Sequence, residues 1–521
     1  MTNPHTRHDQ SSMAFLSGDE ALAQGAYEAG VKVAASYPGT PATEVLETLA
    51  KFHEVDSQWS VNEKVAYEVA LGASIAGVRS IFSAKHVGLN VAMDSIMTSA
   101  YTGVGAGFVI VSADDPGLHS SQNEQDNRIL AGFAKIPLLE PASPSEAREY
   151  AKTAFEISEQ FDTPVMVRIT TRVAHTKENL RIGSREEVGV KTYHTDIPKY
   201  VMVPGNAYRR HLILEERLLK LQEYSEKTPM NRIEHGKGDI AFIVDSVTYL
   251  YVKEVFPDAP ILKLGMPFPF PERLVREFAE KQKEIFVIEE LEPFIENQVK
   301  LLGIACRAKH PSYRVGELRP ELIRSLVAGK VKIEEPSTAR KPQLCPGCPH
   351  RSVFTVLQKM NLVVAGDIGC YSLGALPPLQ SLHTCLCMGS AIPLFEGFRK
   401  VLGSNVVGVI GDSTFVHTGV PGLINLSYNG TKGVIMILDN QTTAMTGNQP
   451  HPAMGQHLRG QKNHHLDLEK LCKACGAENV DVINPHELVN LENLLKKRLN
   501  ENKLTVIIAR FPCRLIDPKK L

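Results

Sequence analysis

The sequence predicts an α/β protein of three domains built on doubly wound parallel sheets. Three observations carry this expectation. Helical and β-type segments alternate from Gly18 to about Lys177, and again from Cys345 to the end, which is the pattern of βαβ units. The β-type segments are short apolar runs such as Val406-Val407-Gly408-Val409-Ile410, suited to strands covered on both faces. Glycines close the helical segments, as Gly30 and Gly77 do.

In chain order, residues 19–30 read as an amphipathic helix and 31–37 as a strand, 62–77 as an Ala-rich helix, and 79–84 and 107–113 as strands. They place a first domain at 13–195. Residues 196–238 are charged, carry Pro198, Pro204 and Pro229, include an amphipathic helix at 211–226, and are expected to wrap the surface as a connector. A smaller α/β middle domain is expected at 239–335, with strands at 240–244, 261–264 and 285–288; Glu289, Glu290 and Glu292 should form a solvated strand end. A linker at 331–343, with Pro336 and Pro342, leads to a last domain at 343–521, whose strands fall at 362–365, 406–410, 434–438 and 505–509.

Composition narrows the function. The 521 residues are 43% apolar and 22% charged with net charge −1, so there is no electrostatic footprint for nucleic acid or an anionic membrane. The N-terminal Met1-Thr2-Asn3-Pro4-His5 is polar and unlike a signal peptide, and no apolar stretch approaches the roughly 20 residues of a membrane span. A cytoplasmic location is expected. Six of the nine cysteines fall between Cys306 and Cys387, and in a cytosolic chain such clustering favours metal ligation or buried thiols over disulfides.

The strand at 406–410 runs directly into Gly411-Asp412-Ser413, and the strand at 434–438 ends in Asp439-Asn440. Ligands of open parallel sheets bind at the carboxyl ends of strands. Asp412 and Asn440 can therefore offer oxygens to one Mg²⁺, with a backbone carbonyl such as that of Thr442, while Gly408, Gly411 and Gly419 let backbone N–H groups approach phosphate. Singly, a Gly-Asp-Ser turn or an Asp-Asn strand stop is commonplace; the two at successive strand ends point to a diphosphate held through Mg²⁺.

Cys345-Pro346-Gly347-Cys348 is a C-x-x-C in a Pro/Gly turn, with Cys370 22 residues further on. This spacing suits Zn or an Fe–S cluster, and Cys513, just past the last strand, is available as a fourth ligand. Cys472 and Cys475 lie in a helical pattern without a glycine turn and read as packing. Cys385 and Cys387 alternate near Gly389-Ser390, at the edge of the diphosphate site, and read as structural.

Gly411-Asp412-Ser413 with Asp439-Asn440 resembles the diphosphate motif of thiamine diphosphate enzymes. The continuation Thr442-Thr443-Ala444-Met445-Thr446-Gly447 resembles the large subunit of indolepyruvate:ferredoxin oxidoreductase. So do Tyr37-Pro38-Gly39-Thr40-Pro41, Lys85-His86-Val87-Gly88-Leu89-Asn90, Cys345-Pro346-Gly347-Cys348-Pro349-His350-Arg351 and Asp367-Ile368-Gly369-Cys370-Tyr371, in the family's order along nearly the whole chain.

The resemblance implies that the first and last domains bind the pyrimidine and diphosphate ends of thiamine diphosphate. Gly389, Ser390, Gly411, Asp412, Ser413, Asn440 and Thr442 would hold the diphosphate, with Asp412, Asn440 and Thr442 on Mg²⁺. It makes Glu63, by itself an ordinary first-turn glutamate, the carboxylate that activates the aminopyrimidine. It places the Thr40 hydroxyl against a 2-oxo acid. His86 and the polar segment 119–128 are further candidates from their residue types, with Arg128 able to pair with a carboxylate and a solvated loop or helix start as the alternative for that segment. The resemblance assigns Cys345, Cys348, Cys370 and Cys513 to one [4Fe–4S] cluster.

The implied reaction is oxidative decarboxylation of arylpyruvates such as indolepyruvate, with coenzyme A as acyl acceptor. Glu63 and Asp412 lie in different domains, so the cofactor would bridge a domain or subunit interface and an oligomer is expected; the partners expected are a second copy of the large subunit, in a homodimer within a hetero-oligomer, and a small β-type subunit. The family's large subunit usually ends in a ferredoxin-like domain, and this sequence stops at Leu521; electrons would then pass to an acceptor protein or a flavin or Fe–S subunit. A non-oxidative 2-oxo acid decarboxylase and a non-catalytic scaffold are the alternatives.

Overall fold

The computed structural model describes residues 13–331 and 343–516. The chain forms two compact units, Met1–Glu335 and Pro336–Leu521. The linker expected at 331–343 lies, apart from its ends, outside the described residues.

The first unit is centred on a six-stranded, wholly parallel sheet. Its spatial order is Asp56–Trp59, Val33–Ser36, Ser80–Lys85, Phe108–Asp114, Val165–Thr170 and Leu138–Leu139. The chain runs from Val33–Ser36 to one neighbour, then returns to the other side with Ser80–Lys85. These two strands flank the topological switch point, where open sheets leave a crevice at their carboxyl ends. Phe108–Asp114 and Val165–Thr170 are buried along their full length, as apolar runs in a double-faced sheet should be. Helix Glu63–Ile75 starts where the Asn62 side chain accepts the Val65 N–H at 2.9 Å.

The stretch expected to be a surface connector contains a 22-residue helix, Pro204–Ser225. Arg210 and Arg217 on this helix donate to the carbonyls of Tyr101, Thr102 and Ala100 at the end of helix His86–Thr102. Those carbonyls have no partners within their own helix, so the connector caps it. The expected boundary at 238 shifts as well: Arg232–Glu234 pairs antiparallel with Ile261–Leu264 and forms an edge of the middle sheet.

That middle sheet has the order Arg307–Ala308, Glu284–Ile288, Ile240–Asp245, Ile261–Leu264 and Arg232–Glu234. It is stitched to the edge of the first sheet by backbone bonds from Leu138 N–H to the Phe268 carbonyl (2.9 Å) and from Glu140 N–H to the Gly265 carbonyl (2.8 Å). The second unit holds a five-stranded parallel sheet of order Val363–Ala365, Val406–Gly411, Gly433–Asp439, Leu504–Arg510 and Asn479–Ile483. Cys472 and Cys475 are buried in its core. Among the described residues no helix is long and apolar enough to cross a membrane.

Candidate active site

Four strands of the second unit release their functional side chains from the same sheet edge. Val363–Ala365 leads to Asp367 and Cys370, Val406–Gly411 to Asp412, Gly433–Asp439 to Asn440, and Leu504–Arg510 to Cys513. Asp412 is buried and accepts the N–H groups of Ser413 and Gln441, both at 2.8 Å. His451 Nε2 lies 3.3 Å from its Oδ2. Burial works to raise the Asp412 carboxyl, but His451 and the two N–H donors hold it below the ordinary aspartate range, so it is an anion. The Thr442 hydroxyl oxygen is buried without a partner, and Thr442 N–H donates to Asn440 Oδ1 at 3.3 Å.

This donor set fits Mg²⁺ and a diphosphate. It offers hard oxygens from Asp412 and Asn440, an orphaned hydroxyl on Thr442, and room for phosphate oxygens to complete the shell. Among the described residues no three His, Cys, Asp or Glu side chains converge as ligands of a single ion. A cation held partly by amide, carbonyl and phosphate oxygens would not require such a trio. Asp367 shapes the neighbouring loop, accepting N–H groups from Ile368, Gly389 and Ala391 at 2.8–2.9 Å. Burial pushes its carboxyl up to about 6 despite these donors. Gly389 and Ser390 are thereby fixed beside Asp412's helix, which continues as a π turn at Phe415–Gly419, a form common at functional sites.

Cys345, Cys348, Cys370 and Cys513 line one pocket together with His350 and Asn440. Gly347 adopts a left-handed conformation (φ 69°) that glycine takes without strain, which suits the tight C-x-x-C turn. Burial raises the Cys370 thiol to about 11, and the other three thiols add to the rise. Four thiols lining one cavity would fit a cluster that takes one thiolate per iron. His350 is buried, and that burial lowers its ring to about 4 against the pull of Asp412.

In the first unit, Thr40, Lys85 and His86 gather at the switch point. Lys85 Nζ donates to the Ser120 carbonyl at 2.6 Å, and Ser120 Oγ donates to the Thr40 carbonyl at 3.2 Å. Burial lowers the Lys85 ammonium to about 8, opposed by Asp115. His86 Nε2 faces the Asn123 carbonyl at 3.1 Å, so the proton sits there and Nδ1, buried without a partner, is a free acceptor. Glu63 is buried at the start of its helix, where a β-carbon on Gly88 would fall 2.6 Å from its Oε1.

Arg128 is corrected by the structure. It is fully buried, and its donors are taken by Asp126, Asp245, Glu289 and the carbonyls of Glu290 and Glu292, leaving none for a substrate carboxylate. Glu289 and Glu290 are likewise not solvated but buried, Glu289 against Arg128 and Glu290 beneath the Leu318 N–H. Sequence reasoning passed over Lys85, His350, Asp367 and His451. The first three stand inside the quoted motifs, where their presence was the only signal; His451 had none.

Two families match the chain: "Pyruvate flavodoxin/ferredoxin oxidoreductase, thiamine diP-bdg" over residues 24–228 and "Thiamine pyrophosphate enzyme, C-terminal TPP binding domain" over residues 367–509. Fold, site and families define a thiamine diphosphate-dependent 2-oxo acid oxidoreductase. Indolepyruvate oxidoreductase subunit IorA of Archaeoglobus fulgidus is 38% identical over 99% of this chain and 89% of its own length. The same subunit of Thermococcus kodakarensis is 38% identical over 96% of this chain and 86% of its own length. A solved 2-oxoglutarate:ferredoxin oxidoreductase from Magnetococcus marinus, with 2-oxoglutarate, coenzyme A and succinyl-CoA bound, shares the fold, with a TM-score of 0.51 at 16% identity over 61% of this chain and 65% of that one. The chain belongs to the indolepyruvate oxidoreductase IorA family. It is the catalytic subunit of an enzyme that oxidatively decarboxylates 2-oxo acids, and the non-oxidative alternative is disfavoured.

Proposed function

We propose that the substrate is an arylpyruvate of the indolepyruvate type, converted to its acyl-coenzyme A thioester by the cytoplasmic protein working with a small β-type subunit and a separate electron acceptor. A homodimer of this chain within that assembly is part of the proposal. When bound, thiamine diphosphate supplies the nucleophilic carbon, Mg²⁺ neutralises its diphosphate, and a [4Fe–4S] cluster carries electrons away singly.

The chain's own residues then have distinct tasks. Asp412, Asn440 and Thr442 hold the cation. Gly389, Ser390, Gly411 and Ser413 line the diphosphate, Ser413 with its hydroxyl accepting that of Thr443 at 3.2 Å. Cys345, Cys348, Cys370 and Cys513 hold the cluster. Glu63 would hydrogen-bond the aminopyrimidine ring and favour its imino tautomer, Thr40 and Lys85 position the substrate's oxygens, and His86 Nδ1 is a proton acceptor at the same edge. The observation that carries the oxidative reading is the meeting of four thiols in one pocket with Asn440 in its wall. Product analysis tests it: anaerobic protein supplied with thiamine diphosphate, Mg²⁺, indolepyruvate, coenzyme A and an electron-accepting dye should form the thioester. Free aldehyde as the main product would count against the proposal.

A further inference from the structure

We propose that His350 is a positioning residue that fixes the carboxamide of Asn440, tying the cysteine-lined pocket to the diphosphate anchor. The inference rests on the proposed role of Asp412 and Asn440 in holding a Mg²⁺-bound diphosphate.

His350 is the second residue of helix Pro349–Lys359, which begins directly after Cys348. Its ring is buried and stands edge-on to Tyr371, with centroids 5.9 Å apart at 83°. Its Nε2 lies 3.4 Å from Asn440 Nδ2. An amide nitrogen can only donate, so this contact is attractive only when Nε2 carries the lone pair. At the other end of the amide, Thr442 N–H donates to Asn440 Oδ1 at 3.3 Å. Reversing the amide would set donor against donor at Thr442. The Thr442 N–H therefore selects the orientation in which Oδ1 faces the anchor and Nδ2 faces His350.

The backbone of Asn440 is tied as well. Its carbonyl accepts the Cys513 N–H at 3.0 Å, and the preceding Asp439 carbonyl accepts the Phe511 N–H at 3.0 Å. Asn440 is thus held by two attachments that lead to pocket cysteines: Cys348 through His350, and Cys513 directly. Ordering either site restrains residues of the other, and such linkage is reciprocal.

The test measures binding of thiamine diphosphate with Mg²⁺ to the full chain by calorimetry, in wild type and in His350→Leu, His350→Gln and Asp412→Ala. Loss of the amide restraint should weaken binding about three- to tenfold in His350→Leu, and His350→Gln, which keeps an acceptor oxygen, should recover most of it. Thiamine diphosphate with Mg²⁺ should also slow alkylation of Cys513 in wild type and do so less in His350→Leu. Equal losses in the Leu and Gln variants would mark a packing role and overturn the inference, as would unchanged binding and thiol protection in His350→Leu. If Asp412→Ala binds normally, the anchor reading itself fails. If Asp412→Ala loses binding while His350→Leu does not, only this inference does.

Discussion

Arg128 Nη1 lies 2.7 Å from Glu289 Oε2, and this contact joins the first sheet's helix Asn127–Ala134 to the end of the middle sheet's strand Glu284–Ile288. The same guanidinium also holds Asp126 and Asp245. Its role is to clamp two sheets of one unit together. Removing one member of such a buried network strands the others, at a cost of about 3–5 kcal/mol. Arg128→Ala should therefore lower the thermal midpoint of unfolding sharply and reduce activity only through loss of folded protein. A stable Arg128→Ala protein with a raised KM would restore the substrate-carboxylate role.

Glu290 gives the same region a pH signature. Burial raises its carboxyl from the ordinary 4.5 to about 7, against the Leu318 N–H that favours its charged form. The folded state then binds more protons than the unfolded state between these values, so stability falls as pH rises from about 4.5 through 7. Below 4.5 both states are protonated and the penalty is absent. Glu290→Gln, which keeps the acceptor for Leu318, should gain about 2–3 kcal/mol at pH 8 and little at pH 4. Denaturant titrations at the two pH values check this.

Glu63 and Asp412 should separate chemistry from binding. Asp412→Ala removes the buried anion and should abolish measurable binding of thiamine diphosphate with Mg²⁺. Glu63→Gln should bind the cofactor with near wild-type affinity yet lose turnover. Calorimetry and a product assay on both variants decide the assignment, and an active Glu63→Gln would overturn the activating role.

The cysteines make an elemental prediction. Cys370→Ser and Cys513→Ser should each lower the iron content of anaerobically purified protein, whereas Cys472→Ala, which alters a core thiol outside the pocket, should leave it unchanged. Iron and acid-labile sulfide assays measure this directly.

Much of the site was legible because, in a parallel sheet, a functional loop is continuous with the strand before it. Gly411-Asp412 and Asp439-Asn440 could be read at the ends of apolar runs, and the structure sets them on adjacent strands paired Gly411 to Leu438. What could not be read was convergence from afar. Arg128 meets Asp245 and Glu289 from 117 and 161 positions away, so its substrate-like polarity was the only local cue. Glu289 and Glu290 look like a solvated end until the segment bearing Leu318 and the Arg128 helix cover them. The connector helix was seen but its purpose was not, because capping carbonyls at residues 100–102 leave no trace in the sequence around Arg210 and Arg217. The strand Arg232–Glu234 is only three residues long, too short to show a period.

The central claim is that decarboxylation on this chain is oxidative and that its electrons enter the thiol-lined pocket. Electron paramagnetic resonance of the anaerobic complex with thiamine diphosphate, Mg²⁺, indolepyruvate and coenzyme A tests it most directly. The expected result is a reduced [4Fe–4S] signal that needs the 2-oxo acid and disappears in Cys370→Ser. Turnover of the 2-oxo acid to aldehyde by protein free of iron, with no such signal, would contradict it.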